Sequence, residues 1–417
     1  MTLEQSVLEA IEKNQDRLFE ILKTLIRFPT ENPPGKEAPA QEWISERLKT
    51  VTDKVDVFEV LPGRSNVVGV VNGAGGGRSV ILNGHVDVVE AKKREAWEHD
   101  PFDPIEKEGF IYGRGASDMK SAMAGYLYVL ETLKKAGIGL KGDVIFQSVV
   151  GEEEAEPGTR MAAERYPADF AIVGEGTRAR QIVASVGTMT VKITIKSPYT
   201  LHLHARRQAI HAGGGLEGAN AIEKMALKII PALNDLEREW SVFKKYRGIP
   251  PGQTLINPFL IRGGDDAGYL PDECSMYAVV VYLPDEAPDK VKQEVEEQIH
   301  RAANLDGWLR KHPPQIEWNP QDQHWAFPAS DLDVDHPGVQ QLGKIIEDVA
   351  GCQAEYGGRG GITDAGWFPI NGTPAVVYGP GDVFYAHRID ERVRKEDVLL
   401  FAKVIGLFLL RWCEVVE

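Results

Sequence analysis

The chain has 417 residues, more than one hydrophobic core usually organises, so two domains are expected. It is 43% hydrophobic and 26% charged, the composition of an ordinary globular protein. Acidic residues outnumber basic ones by 62 to 47, which gives a net charge of −15, and no basic cluster offsets it. Such a surface repels phosphate backbones, so nucleic acid is not an expected partner.

Helix and strand patterns alternate in the first part of the chain. Apolar residues recur at helical spacing from Val7 to Ile26, and a second helix is predicted at Trp43–Leu48. A third helix is predicted from about Met119 to Ala136, where Gly137 suits a helix C-terminus. Short apolar runs predict strands at Asn66–Val71, Ser79–Leu82, Val144–Val150 and Phe170–Val173. This alternation predicts the α/β class, with a mixed, mostly parallel sheet and flanking helices.

A different pattern marks residues 186–326. Thr188–Lys196 alternates as a half-buried strand does. Further elements are predicted at Asn220–Leu236 (helix), Ser275–Leu283 (strand), Asp289–Ala303 (helix) and Ile316–Trp318 (strand). We therefore predict a smaller inserted α+β domain over 186–326, and a larger α/β domain formed by 1–185 and 327–417.

Three features bear on the compartment in which the protein works. Cys274, Cys352 and Cys413 are far apart and form no CxxC pair, which fits a reducing compartment. The N-terminal segment has no signal-peptide core. The most apolar stretch, Val398–Leu410, contains Lys403 and is too short to span a bilayer. We therefore expect a cytoplasmic protein with no membrane partner.

Acidic residues and histidines are concentrated in five short segments, three of which directly follow predicted strands. The segments are Asn83–Asp87, Gly113–Asp118, Gly151–Glu154, Val173–Gly176 and Ala386–His387. The carboxyl ends of strands line the ligand crevice of an open α/β sheet, so these side chains are expected to converge. Imidazole and carboxylate without thiolate suit Zn²⁺ or Mn²⁺. Three carboxylates and one hydroxide would balance two dications, which favours two ions over one.

Each segment taken alone has a simpler interpretation. A lone HxD sequence is usually structural, a run of glutamates usually faces solvent, and an aspartate before a helix is usually an N-cap. Only the joint occurrence of the five segments favours the metal site. A nucleotide-dependent oxidoreductase fits less well, because the Gly73–Gly77 cluster precedes its strand and lacks GxGxxG spacing. The sequence also has no GxSxG motif of a serine hydrolase.

The chain resembles a family of dinuclear metallohydrolases that includes acetylornithine deacetylase, succinyl-diaminopimelate desuccinylase, carboxypeptidase G and the aminoacylases. The resemblance runs nearly end to end, and it rests on NGHVDVV (83–89), GRGASDMKSAMAG (113–125), GEEEAEPGT (151–159), VGEGT (173–177), HAGGGLEGANAI (211–222), TDA (363–365) and AHRIDE (386–391). It implies a zinc-dependent amidohydrolase that cleaves an N-acyl amine or N-acyl amino acid. A dipeptidase or carboxypeptidase of the same fold is the first alternative. A catalytically inactive binding protein is the second, although such a protein would be expected to have lost metal ligands.

The resemblance also implies a set of metal ligands. Two divalent ions are expected, with zinc first and cobalt or manganese as alternatives. Asp118 would bridge the two ions. His85 and Glu175 would complete one site, and Glu153 and His387 would complete the other.

Glu152, Asp87 and His211 are the catalytic residues that the resemblance implies. Glu152 would be the general base that takes a proton from a water bridging the two ions and passes it to the leaving amine. Asp87 would fix the orientation of His85. In the family the inserted domain is a lid that also forms a homodimer, and one lid histidine reaches the partner's active site. His211 matches that histidine and would donate a hydrogen bond to the oxyanion, with His202 or His204 as alternatives outside the motif.

The chain departs from the family where relatives bind a substrate carboxylate. Many relatives have an arginine after TDA, whereas this chain has Gly366 followed by Trp367. An Asp-x-Arg sequence is also missing from the lid strand, where Val279–Val281 stands. Arg262, Arg359 and Trp367 are therefore the candidate substrate-binding residues. We expect a less charged or aromatic N-acyl amine as the substrate, and an N-formylated aminomethylpyrimidine is one candidate.

Overall fold

The computed structural model describes residues 2–154, 156–208, 217–323 and 325–416. The chain forms two compact units. The first consists of Met1–Val183, Ser330–Gly357 and Thr363–Glu417, and the second of Ala184–Ala329 and Gly358–Ile362. The predicted domain boundaries, with 186–326 as an inserted domain that covers the site and dimerises, stay a prediction.

The helices of the described residues are α1 (Leu3–Lys13), α2 (Gln15–Ile26), α3 (Ala38–Val51), α4 (Lys120–Lys135), α5 (Pro157–Arg165), α6 (Ala221–Lys224), α7 (Ile230–Phe243), α8 (Pro288–Asn304), α9 (Pro337–Ala350), α10 (Trp367–Ile370) and α11 (Lys395–Trp412). A π-helical turn, Met225–Ile229, joins α6 to α7. The strands are β1 (Lys54–Leu61), β2 (Arg64–Val71), β3 (Val80–His85), β4 (Ile105–Lys107), β5 (Phe110–Tyr112), β6 (Val144–Val149), β7 (Ala171–Val173), β8 (Gln181–Ser185), β9 (Gly187–Lys196), β10 (Leu255–Gly263), β11 (Glu273–Tyr282), β12 (Gln315–Trp318), β13 (Ser330–Asp331), β14 (Tyr356–Arg359), β15 (Ala375–Val377) and β16 (Arg392–Arg394).

The main sheet is mixed, with a parallel centre. Its strand order is β1-β2-β6-β3-β7-β15-β8-β13, and β14 pairs with β8. The four central strands β6, β3, β7 and β15 are mutually parallel. Strands β2 and β8 pair with this centre in antiparallel fashion, and β1 pairs antiparallel with β2. Every residue of β3 and β6 is buried, as expected for strands covered on both faces. The predicted fold class, α/β with a mostly parallel sheet and a separate sheet-rich part, is confirmed.

The second unit contains a four-stranded antiparallel sheet in the order β10-β11-β9-β12. Helices α7 and α8 pack on this sheet through Leu233, Trp240, Val291 and Val295. Strand β10 has no counterpart in the sequence prediction. It is an edge strand with mostly exposed side chains, and Asn257 and Pro258 interrupt its apolar residues, which argues against a central strand.

The structure divides the first predicted helix in two. Helix α1 ends at Lys13 and α2 begins at Gln15, with Asn14 between them. The Asn14 side chain donates to the carbonyl oxygen of Ala10 at 2.8 Å, which caps α1 locally. The apolar spacing continues across this break because both helices bury their apolar residues in the same core.

Helix α4 lies in the middle of the first unit's core. All of its residues from Lys120 to Leu133 are buried, and it packs against α2 and α11. Gly125 allows this close packing, because a Cβ atom there would lie 2.6 Å from Cδ1 of Phe401. Among the described residues, no helix is long and apolar enough to span a bilayer.

Replacement of Gly125 by alanine is expected to destabilise the protein by about 1–3 kcal/mol, because the methyl group overpacks the Phe401 ring. Alanine favours a helix over glycine by about 1 kcal/mol, so the sign of the change tests the packing. Gly139→Ala is the control, since its Cβ would lie 3.5 Å from Val416, an ordinary contact. Calorimetric unfolding should show a lower midpoint for Gly125→Ala only, and a raised midpoint for that variant would contradict the packing.

Candidate metal centre

The acidic residues and histidines converge at one edge of the main sheet. His85 is the last residue of β3, Glu152 and Glu153 follow β6, and Glu175 follows β7. These three strands are adjacent and parallel, so their carboxyl ends lie side by side. Asp118 lies just before α4. The sequence analysis predicted that these side chains would converge, because the carboxyl ends of parallel strands share one edge of the sheet.

The carboxylate of Asp118 faces a different histidine with each of its oxygens. Its Oδ1 lies 3.1 Å from Nε2 of His85, and its Oδ2 lies 3.2 Å from Nε2 of His387. The two histidines come from positions about 300 residues apart in the chain. A carboxylate between two imidazoles has the geometry of a ligand that can bridge two ions.

Three glutamates complete the cluster. Nε2 of His85 lies 3.4 Å from Oε1 of Glu175 and 3.7 Å from Oε2 of Glu152. Nε2 of His387 lies 3.0 Å from Oε2 of Glu153. Glu154, the next residue, is 51% exposed and contacts Arg64 at 3.6 Å instead. The glutamate run therefore turns two of its side chains into the cluster and the third away from it.

Asp87 supports the cluster in a different way from the one expected. Nδ1 of His85 lies 2.9 Å from the backbone oxygen of Asp87 and 3.7 Å from its carboxylate. The carboxylate instead accepts the backbone N–H groups of Gly151, Glu152 and Glu153, at 3.0, 3.3 and 3.2 Å. It thus fixes the loop that carries both glutamates, while its backbone orients the imidazole.

The burial of so many acids perturbs their protonation. Burial raises the pKa of Glu152 well above its ordinary value and raises the pKa of Glu153 to about 7. Burial alone would raise the pKa of Asp118 too, but hydrogen bonds from His387 and His85 hold it below its usual range. Hydrogen bonds to Asp118 and Glu153 raise the pKa of His387 to about 10. The cluster therefore retains extra protons in the absence of other cations.

The donor set fits divalent metal ions. Ligand atoms of His85, Asp118 and Glu153 lie within 4.8 Å of one another, and so do those of His85, Glu152 and Glu175. Nitrogen and carboxylate oxygen donors without thiolate are the set that zinc and manganese accept. Both groups contain His85, whereas the resemblance implies one set around His85 and another around His387. The division into two ligand sets therefore stays a prediction.

Some residues around the cluster were not singled out from the sequence. Asn32 donates to Asp87 at 2.8 Å, and Glu391 accepts the backbone N–H of Asp118 at 3.0 Å. Burial raises the pKa of Asp364 to about 7, with nearby Glu175 adding to the effect. Glu391 and Asp364 lie inside motifs that identified the family, and an acidic residue inside such a motif was the available signal. Nothing in the sequence around Asn32 indicated its role.

The candidate substrate-binding residues lie in both units of the chain. Trp367 begins α10 in the first unit, and its indole N–H donates to the buried Glu156 at 2.6 Å. Arg262 is exposed on β10 and Arg359 is half-buried at the end of β14, both in the second unit. His211 lies outside the described residues. The roles of all four stay predictions.

The fold and the cluster together fit a metal-dependent hydrolase. Residues 81–411 match the model of peptidase family M20/M25/M40. N-formyl-4-amino-5-aminomethyl-2-methylpyrimidine deformylase of Bacillus subtilis is 42% identical over 416 residues, which cover 98% of this chain and 97% of that protein. The enzyme of that name from Halalkalibacterium halodurans is 39% identical, over 98% of this chain and 97% of that one.

A solved structure agrees with this assignment at the level of the fold. A dinuclear metal-binding peptidase of the M20 family from Bacillus subtilis has a TM-score of 0.65 at 14% identity, covering 97% of this chain and 100% of that one. The chain belongs to peptidase family M20/M25/M40 and is an amidohydrolase of that family. The family resemblance and the amidohydrolase activity predicted from the sequence are both confirmed.

The metal-free protein is expected to lose stability as the pH rises from 5.5 to 8. Glu153 and Asp364 bind protons more tightly in the folded protein, where their pKa values are about 7. Their contribution to the free energy of unfolding is therefore complete near pH 4 and is lost as the pH rises through 7. The raised pKa of His387, about 10, acts in the same direction above pH 6.5. Thermal unfolding of chelator-treated protein should therefore show a lower midpoint at pH 8 than at pH 5.5.

Zinc provides the comparison for this pH scan. Bound ions would replace the protons, so added zinc should raise the unfolding midpoint more at pH 8 than at pH 5.5. Glu153→Gln should reduce the pH dependence of the metal-free protein. A midpoint that rises with pH in the metal-free protein would contradict the protonation described above.

Proposed function

We propose that the protein is a dinuclear metal-dependent deformylase that hydrolyses the N-formyl amide of an aminomethylpyrimidine. The observation that carries the metal chemistry is the Asp118 carboxylate, with one oxygen towards each of two histidines. The substrate class is supported by two relatives at 42% and 39% identity over nearly the whole chain, both of them deformylases of this pyrimidine. Zinc is the proposed metal, because the ligands are imidazole and carboxylate.

The protein groups divide the work of amide hydrolysis between them. His85, Asp118, Glu153, Glu175 and His387 would hold two ions, which when bound acidify water and polarise a carbonyl group. The Glu152 carboxylate takes the proton of the attacking water and delivers it to the nitrogen of the leaving amine. Burial raises the pKa of Glu152, which is the direction expected of a carboxyl group that must both accept and release a proton.

The surroundings of Trp367 support an aromatic substrate without a carboxylate. Gly366 stands where many relatives have an arginine, so this position supplies no cation to bind a substrate carboxylate. The indole N–H of Trp367 is held by Glu156 at 2.6 Å, and the guanidinium of Arg160 lies 5.9 Å from the ring centre. These contacts fix the plane of the indole, which would stack on the pyrimidine ring.

We further propose that the protein is a cytoplasmic homodimer, with the second unit as the dimerising part. The cytoplasmic proposal is supported by the cysteines, since Cys274, Cys352 and Cys413 are all free. The homodimer is proposed from the family resemblance. Arg262 and Arg359 remain proposed contacts to the substrate, and His211 a proposed oxyanion donor.

Replacement of Glu152 by glutamine tests the proposed activity. The zinc-loaded variant is expected to release formate from the N-formyl pyrimidine with a kcat about 10²- to 10⁴-fold lower, because the proton acceptor is lost. Zinc content should stay at two per chain. Glu154→Gln is the matched control, since Glu154 is adjacent in sequence but 51% exposed, and its kcat should not change.

The substrate panel for this experiment includes N-acetylornithine, the N-acetyl form of the pyrimidine and several dipeptides. The N-formyl pyrimidine should have the highest kcat/KM. Preferential hydrolysis of dipeptides would assign a peptidase instead, and a preference for N-acetylornithine would exclude the proposed aromatic substrate class.

Replacement of Trp367 by leucine is expected to raise KM for the N-formyl pyrimidine about 2- to 10-fold with little effect on kcat, because one aromatic stacking contact is removed. N-formyl-alkylamines without a ring are the control substrates, and their KM should be unchanged. Steady-state kinetics on both substrates gives the comparison. An equal loss on both would show that Trp367 acts on the site in general rather than on the ring.

A further inference from the structure

Two segments that carry predicted metal ligands are joined by a buried glutamate. The Asp118 segment is residues 113–118, and the His387 segment is residues 382–391. Glu391, at the end of the His387 segment, accepts the backbone N–H groups of Ser117 and Asp118 with Oε1, at 2.8 and 3.0 Å. Its other oxygen accepts Nη1 of Arg114 at 2.6 Å. The carboxylate therefore holds the backbone on which the Asp118 side chain is mounted.

A second contact joins the other end of the His387 segment to the same place. The Ser117 hydroxyl donates to the backbone oxygen of Asp382 at 2.9 Å and accepts the Asp382 N–H, also at 2.9 Å. The N–H of Gly113 donates to the Glu391 backbone oxygen at 2.9 Å. The His387 segment is thus attached to the Asp118 segment at both of its ends.

His387 lies between these two attachments, and its Nε2 faces the carboxylates of Asp118 and Glu153. Its side chain is 51% exposed, and its backbone φ of +61° lies in the left-handed region that residues other than glycine rarely adopt. Such a conformation persists when the surrounding structure holds it. The attachments at Asp382 and Glu391 supply that support, because they fix the chain on both sides of His387.

We propose that Glu391 and Arg114 are positioning residues that set the distance between Asp118 and His387 and thereby the affinity of the second metal ion. This inference rests on the proposed dinuclear centre. Glu391 is fully buried and Arg114 nearly so, which means that each charge depends on the other for compensation. The charged carboxylate can then accept both backbone N–H groups and the guanidinium together, which a neutral amide does less well.

The test measures zinc binding by the full-length, metal-free protein, with a chromophoric chelator as competitor. Wild type is expected to bind two zinc ions. Glu391→Gln should raise the dissociation constant of the more weakly bound ion about 10- to 100-fold, as for other residues that orient metal ligands. The visible absorption that appears on addition of the second equivalent of cobalt should differ between this variant and wild type.

The second unit offers a matched control. Asp306 has the same kind of contacts as Glu391, since its Oδ1 accepts the N–H groups of Trp308 and Leu309 at 2.9 and 3.0 Å and its Oδ2 pairs with Lys224 at 2.7 Å. Asp306→Asn and Glu391→Gln are both expected to lower the unfolding temperature, but Asp306→Asn should leave both zinc affinities unchanged. The comparison separates a positioning role from a general loss of stability.

Each outcome has a defined meaning. Unchanged zinc affinity in Glu391→Gln, with a loss of stability like that of Asp306→Asn, would overturn the positioning role. Should Glu391→Gln fail to fold, Arg114→Lys replaces it. This variant is expected to raise the dissociation constant of the more weakly bound ion by a smaller factor. An unchanged constant would contradict the proposal. A wild-type protein that binds fewer than two zinc ions would instead contradict the proposed dinuclear centre.

Discussion

The contact of one carboxylate with two imidazoles is the interaction on which the centre depends. Asp118 can face His85 and His387 at once only because a strand end and a loop near the C-terminus are brought to the same edge of the sheet. Glu152, Glu153 and Glu175 crowd around it, and buried like charges repel. The protein can keep this arrangement only by binding positive charge, whether as protons on the cluster or as metal ions. A centre of this kind is therefore built to bind cations before any substrate is considered.

Backbone N–H groups without a partner pose a second problem at this edge of the sheet. Loops at strand ends leave their N–H groups without ladder partners, and buried donors must be satisfied. Two carboxylates satisfy them at this centre: Asp87 accepts three N–H groups from residues 151–153, and Glu391 accepts two from the Asp118 segment. Each acid thereby holds a loop whose side chains face the cluster. The acids that do not face the metal site are as much a part of its geometry as those that do.

The sequence was sufficient to predict the strands and site residues that a local pattern of apolar residues identifies. Buried apolar runs identified β3 and β6, and the rule that parallel strands present their ends together predicted that His85 and Glu153 would meet. Strand β10 was missed, because Asn257 and Pro258 interrupt its apolar residues and a proline argues against a strand. The long-range contact of Glu391 with Asp118 was missed too, since 273 residues separate them and no local spacing reports such a contact. Asp87 was identified, but a sequence cannot tell whether a backbone oxygen or a carboxylate reaches the imidazole.

A single short stretch connects the metal chemistry to the choice of substrate. Residues 151–159 carry the proposed base Glu152 and the proposed ligand Glu153, and three residues later Glu156 accepts the indole N–H of Trp367. Asp87 accepts the backbone N–H groups of the base and the ligand, and the Glu156 N–H donates to the backbone oxygen of Gly151 in the same loop at 2.8 Å. The Glu156 side chain therefore links the loop that carries the base to Trp367 on α10. Under the proposed function, the loop that positions the base would also orient the indole that contacts the amine, so this one stretch would couple the choice of substrate to the metal centre.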